Sequence, residues 1–248
     1  MECTRCIPLI NHNGTVPMEE PLESRTPVST TPARATAHAR VAKQQRSVNA
    51  LNAFISNGIK MLNGCRLSEL HVPDLVKRCG CSVGNFYLRF PNKESYFKAL
   101  QAEVMAQADI LVVERLHPKQ LAAMDAGAVL DSMVDLMADI FTSPGRGVYR
   151  ESFLRIQEVD DPWAPMRLAG RDIMRRYIEG TADKFVCFSA EQANQRLRFC
   201  FQTVVGVLQN DLVNDYHVHS ARDGSVRQAL KEMLKSYMAV TTTTRVAP

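Results

Sequence analysis

Apolar residues recur at steps of three and four through most of this chain, and strict alternation is nearly absent. That pattern predicts an all-α protein of about nine helices. Between Gln45 and about Asn63, Val48, Leu51, Phe54, Ile55, Ile59 and Leu62 share one helical face. Gly64 then stands where a C-terminal cap belongs. A second, short helix is expected over Val72–Cys79, with Pro73 and Asp74 in its first turn, where a missing N–H is harmless and a carboxylate suits the helix dipole. Gly80 ends it, Ser82 caps a third helix over Val83–Arg89, and Pro91 stops that helix. Asn92 caps a fourth, Lys93 to about Leu116, with Phe97, Leu100, Val104, Ala108 and Leu111 on one face. At about 24 residues it would span roughly 36 Å.

Beyond a break at His117–Pro118, four more apolar-periodic stretches follow: Asp125–Phe141, Val148–Glu158, Trp163–Phe185 and Glu191–Asp215. A polar loop, HVHSARDG, leads to the last, Ser225–Val240. Met1 to about Ala42 is different, being rich in Pro, Thr, Ser, Ala and Arg without apolar periodicity. It reads as a disordered tail. The chain is thus expected to divide into a tail over 1–42, a small helical domain over 43–96 and a larger one over 97–248.

Charge sharpens this division. Residues 34–98 carry eleven Lys/Arg against three Asp/Glu, whereas residues 101–248 carry 17 against 19. The basic excess near the N-terminus points to an anionic partner there, with nucleic acid the first candidate. The basic end of the tail, including Arg40 and Lys43, reads either as an arm along DNA or as a solvated segment. No apolar run of 18 residues and no secretory leader pattern is present, so a cytoplasmic protein without a membrane span is expected. Seven cysteines, an odd number, point to reduced thiols. The CxxC of Cys3 and Cys6 has no second pair nearby, and the HxH of His217 and His219, with Asp215 close by, reads as an incidental part of a polar loop, with metal binding the alternative. No GxSxG, HExxH, P-loop or dinucleotide fingerprint occurs, so neither an enzyme nor a bound cofactor is expected.

Two short helices around a glycine turn make a helix-turn-helix, with the third helix as the recognition element. Gly84 within it costs about 1 kcal/mol relative to alanine, which is intelligible where something must approach the backbone closely. Phe86 and Phe90 are placed to pack inward, leaving Ser82, Val83, Asn85, Tyr87 and Arg89 for phosphate and groove contacts. Lys93 sits in the first turn of the fourth helix, where the dipole disfavours a cation. A phosphate bound by that helix end would offset the cost, and simple solvation is the alternative.

DLVKRCGCSVGNFYLRFPNKESYF resembles the TetR family of bacterial transcriptional regulators. The matching positions are Asp74, Leu75, Gly80, Ser82, Gly84, Phe86, Tyr87, Phe90, Lys93, Glu94 and Phe97. The resemblance covers about residues 45–97. It implies a homodimer with two helix-turn-helix units on a double-stranded DNA operator. It also implies a C-terminal domain that binds a small ligand and alters DNA binding, most simply a repressor that a hydrophobic ligand releases. A regulator without small-molecule response, acting through protein partners or oligomer state, is the alternative, and a helical enzyme using the C-terminal pocket is the less favoured one. Glu191–Asp215 and Ser225–Val240 resemble the family's dimerisation pair, with Gly206 allowing close approach and Phe199, Phe201 and Leu208 as candidate interface residues. His71 stands where the family carries a capping threonine that touches phosphate, and histidine caps less well. Cys79 and Cys81 replace small apolar residues of the turn, as packing groups or as a redox-sensitive pair. In the second domain, Met133, Met137, Phe141, Phe153, Trp163, Met166 and Tyr177 suit an adaptable apolar ligand pocket as well as an ordinary core. Arg155, Gln157 and Gln202 are candidate orienting groups.

Overall fold

The structure, a computed structural model, describes residues 31–158, 160–214 and 219–240, with side chains from residue 41 onward. The described residues divide into two units between Gln44 and Gln45. Ten α-helices and one short 3₁₀ turn make up the described residues, with no strand. No helix among them is long and apolar enough to cross a membrane.

Helix α1 spans Thr31–Leu62. It therefore begins well before Gln45, and residues 31–42, expected as irregular tail, are helical. Thr-Pro opens this helix as a polar residue followed by a first-turn proline, and the Ala- and Arg-rich run after it has high intrinsic helix propensity, which the missing apolar pattern concealed. The remainder of the tail, with Cys3 and Cys6, lies outside the described residues.

Helices α2 (Val72–Arg78), α3 (Val83–Tyr87) and the start of α4 (Lys93–Arg115) close a small core with α1. Phe86 is its centre. Its ring meets Phe54 at 5.7 Å, Phe90 at 5.3 Å and Tyr96 at 5.1 Å between centroids. Buried Tyr96 donates its hydroxyl to the Phe54 carbonyl at 2.6 Å. Gly58 leaves room for that bond, since a Cβ there would lie 1.9 Å from the Tyr96 oxygen.

The larger helical part is organised on α6 (Ala126–Thr142), which contacts α4, α7 (Arg146–Leu154), α8 (Ala164–Thr181), α9 (Ala190–Asn214) and α10 (Ser225–Tyr237). Buried residues surround α6 on nearly every side, as expected of a helix at the centre of a bundle. Its one polar stripe, Asp131, Asp135 and Asp139, faces α10. Lys235 donates to Asp131 at 2.7 Å, Lys231 to Asp135 at 2.7 Å and Arg227 to Asp139 at 2.6 Å. Both sets step by four residues in opposite directions, so the ladder defines the register of α10 on α6. Helix α5 (Pro118–Ala123) occupies what the sequence marks only as a break.

Helix α7 joins the two cores. Gly147 donates its N–H to Asn63 Oδ1 at 2.8 Å, and Asn63 Nδ2 donates to the Pro144 carbonyl at 3.0 Å. Arg150 donates to the carbonyls of Leu62 and Cys65, at 2.9 and 3.1 Å. Arg66 Nε donates to the buried Glu151 carboxylate at 2.6 Å.

Candidate nucleic-acid interface and apolar cavity

Helix α2 ends in a glycine cap that fixes the direction of everything after it. Gly80 has φ +62°, a left-handed conformation that glycine adopts without steric cost. The Gly80 N–H bonds the Lys77 carbonyl at 3.2 Å and the Cys81 N–H bonds the Val76 carbonyl at 2.9 Å. This pair of bonds is the Schellman arrangement. Ser82 Oγ then accepts from the Asn85 N–H at 3.2 Å and starts α3. The flanking thiols are half-buried. Desolvation, and then the neighbouring Cys81, push the Cys79 thiol up, and Asn57 Nδ2 donates to its sulfur at 3.6 Å. Its partial burial, the Asn57 contact and a raised thiol, which carries little reactive thiolate, all favour the packing role at Cys79.

Regular helix in α3 stops at Tyr87, two residues short of the expected Arg89. The outward surface is Val83, Gly84, Tyr87 and Leu88, with Leu88 85%, Tyr87 50% and Val83 41% exposed. Leu88, absent from the sequence-based candidates, is the most exposed of them. Its helix period alone signals this, because it follows Gly84 by one turn and lies away from Phe86.

Three expected contact residues have partners within the fold. Arg89 donates through Nη1 to the Asn85 carbonyl at 2.9 Å and to the Asn85 side chain, and through Nη2 to Ser47 Oγ at 3.0 Å. Arg89 and Asn85 thus fasten α3 to α1. Lys93 Nζ donates to the carbonyls of Ser68 at 3.0 Å and Leu67 at 3.4 Å. Those carbonyls supply the offset that a phosphate was expected to supply, and one N–H of the ammonium is left over. His71 is the N-cap of α2, is exposed and makes no capping bond with its side chain. Lys43 is exposed on α1, and the Arg40 side chain lies outside those described. The structure adds Arg46 on α1 and Lys77 and Arg78 at the end of α2. All three are exposed, and none has an ion pair or side-chain hydrogen bond among the described residues.

Gly84 has no internal reason to be glycine. A Cβ there would meet only Ser82 Oγ, at 4.0 Å, in open space. Gly84→Ala is therefore expected to fold as well as the parent or to gain up to about 1 kcal/mol. If DNA lies against this surface, the same methyl overpacks the contact by about 1–3 kcal/mol, a loss of about tenfold or more in affinity. Thermal unfolding and DNA titration of the one variant check both halves. A destabilised variant would show that the glycine serves the fold.

A cavity of about 740 Å³ lies among α4, α6, α7, α8 and α9. Met137, Phe141, Trp163 and Met166 line it as expected, and Gln202 stands on its wall. Met133 and Tyr177 do not line it. Both are fully buried in the core behind, and Tyr177 bonds Ser132 through its hydroxyl at 3.0 Å. Burial pushes the Tyr177 hydroxyl up to about 12. Phe153 also stands outside, edge-on to Trp163 at 5.3 Å. Arg155 is spent on Glu94, at 2.7 Å, and on Glu158, over the Phe97 ring. Gln157, with Arg155, lies beside a separate surface depression. Tyr149, Met105 and Val112 are cavity residues that the sequence did not single out. Buried Tyr149 donates its hydroxyl to the Val104 carbonyl at 3.3 Å, so this wall of the cavity is pinned to α4.

On α9 and α10, Phe199 is 54% exposed, and Val207, Met233 and Tyr237 are also exposed. Phe201 and Leu208, expected on that face, are buried: Phe201 points into the cavity and Leu208 into the core. Gly206 is exposed, with nothing within 4 Å of a Cβ. Asp215 and His217 lie outside the described residues. Among those described, no group of three or more His, Cys, Asp and Glu is placed to hold a metal ion.

No family model matches the chain, and no curated protein matches it. Among solved structures, it is similar to a TetR transcriptional regulator from Rhodococcus sp. RHA1. The identity is 18% and the TM-score 0.37, over 80% of this chain and 99% of that one. This chain is an all-α protein that carries a helix-turn-helix and, apart from it, an apolar cavity.

Proposed function

We propose that the chain is a homodimeric, sequence-specific DNA-binding transcriptional regulator, a repressor released by a small hydrophobic ligand. One observation carries this reading. Val83, Gly84, Tyr87 and Leu88 of α3 are exposed together, and Arg46 on α1 and Lys77 and Arg78 at the end of α2 are exposed without an ion pair or side-chain hydrogen bond among the described residues. A head over 43–96 binds the operator, and a body over 97–248 binds ligand and dimerises. Val83, Gly84, Tyr87 and the Ser82 hydroxyl meet the major groove. Arg46, Lys77, Arg78 and the remaining N–H of Lys93 meet phosphates. Exposed His71 at the start of α2 adds a polar group to that set, and Arg40 and Lys43 would contribute as a basic arm along the phosphates. Arg89 and Asn85 hold α3 at its angle.

The exposed Phe199 and Val207 of α9 and Met233 and Tyr237 of α10 support pairing of these helices with a second copy in a four-helix arrangement. Two recognition helices then reach successive major grooves only when they stand about 34–36 Å apart. A ligand in the cavity presses on α4, whose N-terminus carries Lys93, and stabilises a dimer with another spacing. The open volume of about 740 Å³ favours this over a regulator deaf to small molecules. Titration of duplex DNA from upstream of the protein's own gene, with and without a panel of hydrophobic small molecules, tests the reading. Binding is expected to be sequence-selective, to fall steeply with salt and to weaken with the correct ligand. Salt-insensitive or unselective binding would sink it.

A further inference from the structure

We infer that α3 reads thymine C5-methyl groups in the major groove, so that the bases under it are A·T pairs chosen mainly by apolar contact. This rests on the DNA-binding reading above and specifies what is recognised. Of the polar residues at α3, Asn85 and Arg89 are engaged with each other and with α1, which leaves the Ser82 hydroxyl hydrogen and the Tyr87 phenol beside a mainly apolar surface. Asn85 Oδ1 accepts from Arg89, and Arg89 also donates to Ser47. Ser82 Oγ caps the helix. What remains outward is Val83, Gly84, Tyr87 and Leu88, within about 140° of one helix face. Leu88 at 85% exposure is a costly side chain to leave in water unless something covers it.

The occupant is set by charge. Arg46 on α1 and Lys77 and Arg78 in the last turn of α2 are exposed and without an ion pair or side-chain hydrogen bond among the described residues; α2 leads through Gly80 directly into α3, and Arg89 brings the end of α3 against Ser47, next to Arg46. An apolar strip on an element joined to exposed cations before and after it matches a groove floor bordered by phosphate strands. On that floor the thymine methyl is the apolar group, whereas reading guanine needs a bidentate Arg or Lys and reading cytosine needs an acceptor carboxylate. The outward surface of α3 carries neither. Gly84 lets the helix backbone come close enough for Val83 and Leu88 to touch methyls on neighbouring base pairs.

The test starts with the full-length protein and duplexes selected from a random pool. Each dT of the selected site is then replaced singly by dU, which removes the methyl and keeps the base pair. At contacted positions the affinity is expected to fall about fourfold per methyl, the factor for one lost buried methylene-sized group. Leu88→Ala, which alters an exposed residue and leaves the core intact, is expected to bind the dT and dU sites equally at one of those positions. Val83→Ala is expected to do so at another. If selective binding persists while every dU replacement is neutral, or the selected half-sites are G·C under α3, the methyl reading is overturned and the DNA-binding reading stands. If no selective binding occurs with any duplex, both fall.

Discussion

Replacing Phe86 by alanine is expected to destabilise the protein by about 3–5 kcal/mol, the range for removing a fully buried aromatic ring. Phe86 is completely buried, and its ring meets Phe54, Phe90 and Tyr96 within 5.7 Å. Those rings already brace one another, Phe90 meeting Phe54 at 6.3 Å and Tyr96 at 4.9 Å, so the void left at Phe86 closes only if α1, α3 and α4 shift together. At about 2–4 °C per kcal/mol for a chain of this size, the midpoint of thermal unfolding should drop by about 10 °C. Phe86→Leu keeps most of the volume and is expected to cost less than half as much. Chemical unfolding followed by circular dichroism measures both. A loss below about 1 kcal/mol for the alanine variant would mean that the aromatic cluster does not hold the recognition helix.

A methyl group at Gly147 is the second change with a large effect. The added Cβ would lie 2.2 Å from the Leu62 carbonyl oxygen and 2.5 Å from the Asn63 nitrogen. Both are backbone atoms, so no side chain can swing aside. Helix α7 must back away from the end of α1, and the bonds among Gly147, Asn63, Pro144 and Arg150 lengthen together. Overpacking of this kind costs about 1–3 kcal/mol, and more where hydrogen bonds go with it. Gly147→Ala is therefore expected to lose about 3 kcal/mol or more, whereas Gly170→Ala, with nothing within 4 Å of its Cβ, should be neutral or gain up to about 1 kcal/mol. If the two variants unfold alike, the contact between α7 and α1 is looser than its geometry. Because α7 also carries Tyr149 into the cavity wall, Gly147→Ala is further expected to blunt any effect of ligand on DNA binding.

The helix-turn-helix was legible because its signals are local. Gly80 at a left-handed cap, Ser82 and Asn92 as N-caps and Pro73 in a first turn each act within four residues of themselves, whatever surrounds them. The early start of α1 escaped notice because it has no apolar stripe before Val48, and helix propensity without amphipathic pattern gives a weak signal.

The partners of the charged side chains were beyond reach of such signals. Lys93 meets carbonyls 25 and 26 residues away, and Arg89 meets Ser47 at 42. No spacing rule links those positions, and the cost of Lys93 at a helix start told only that some acceptor was needed. The pocket divides along the same line. Met133 and Met137 are one turn apart on α6, and periodicity gives them the same face. Since α6 is buried almost all round, core and cavity wall differ only by which neighbouring helix stands opposite and how closely. Phe199 and Phe201 separate for the same reason. Residue order and composition decide where the chain becomes helical and which ends are capped. Which apolar surface becomes core, cavity or exposed face depends on how six helices fill space against one another.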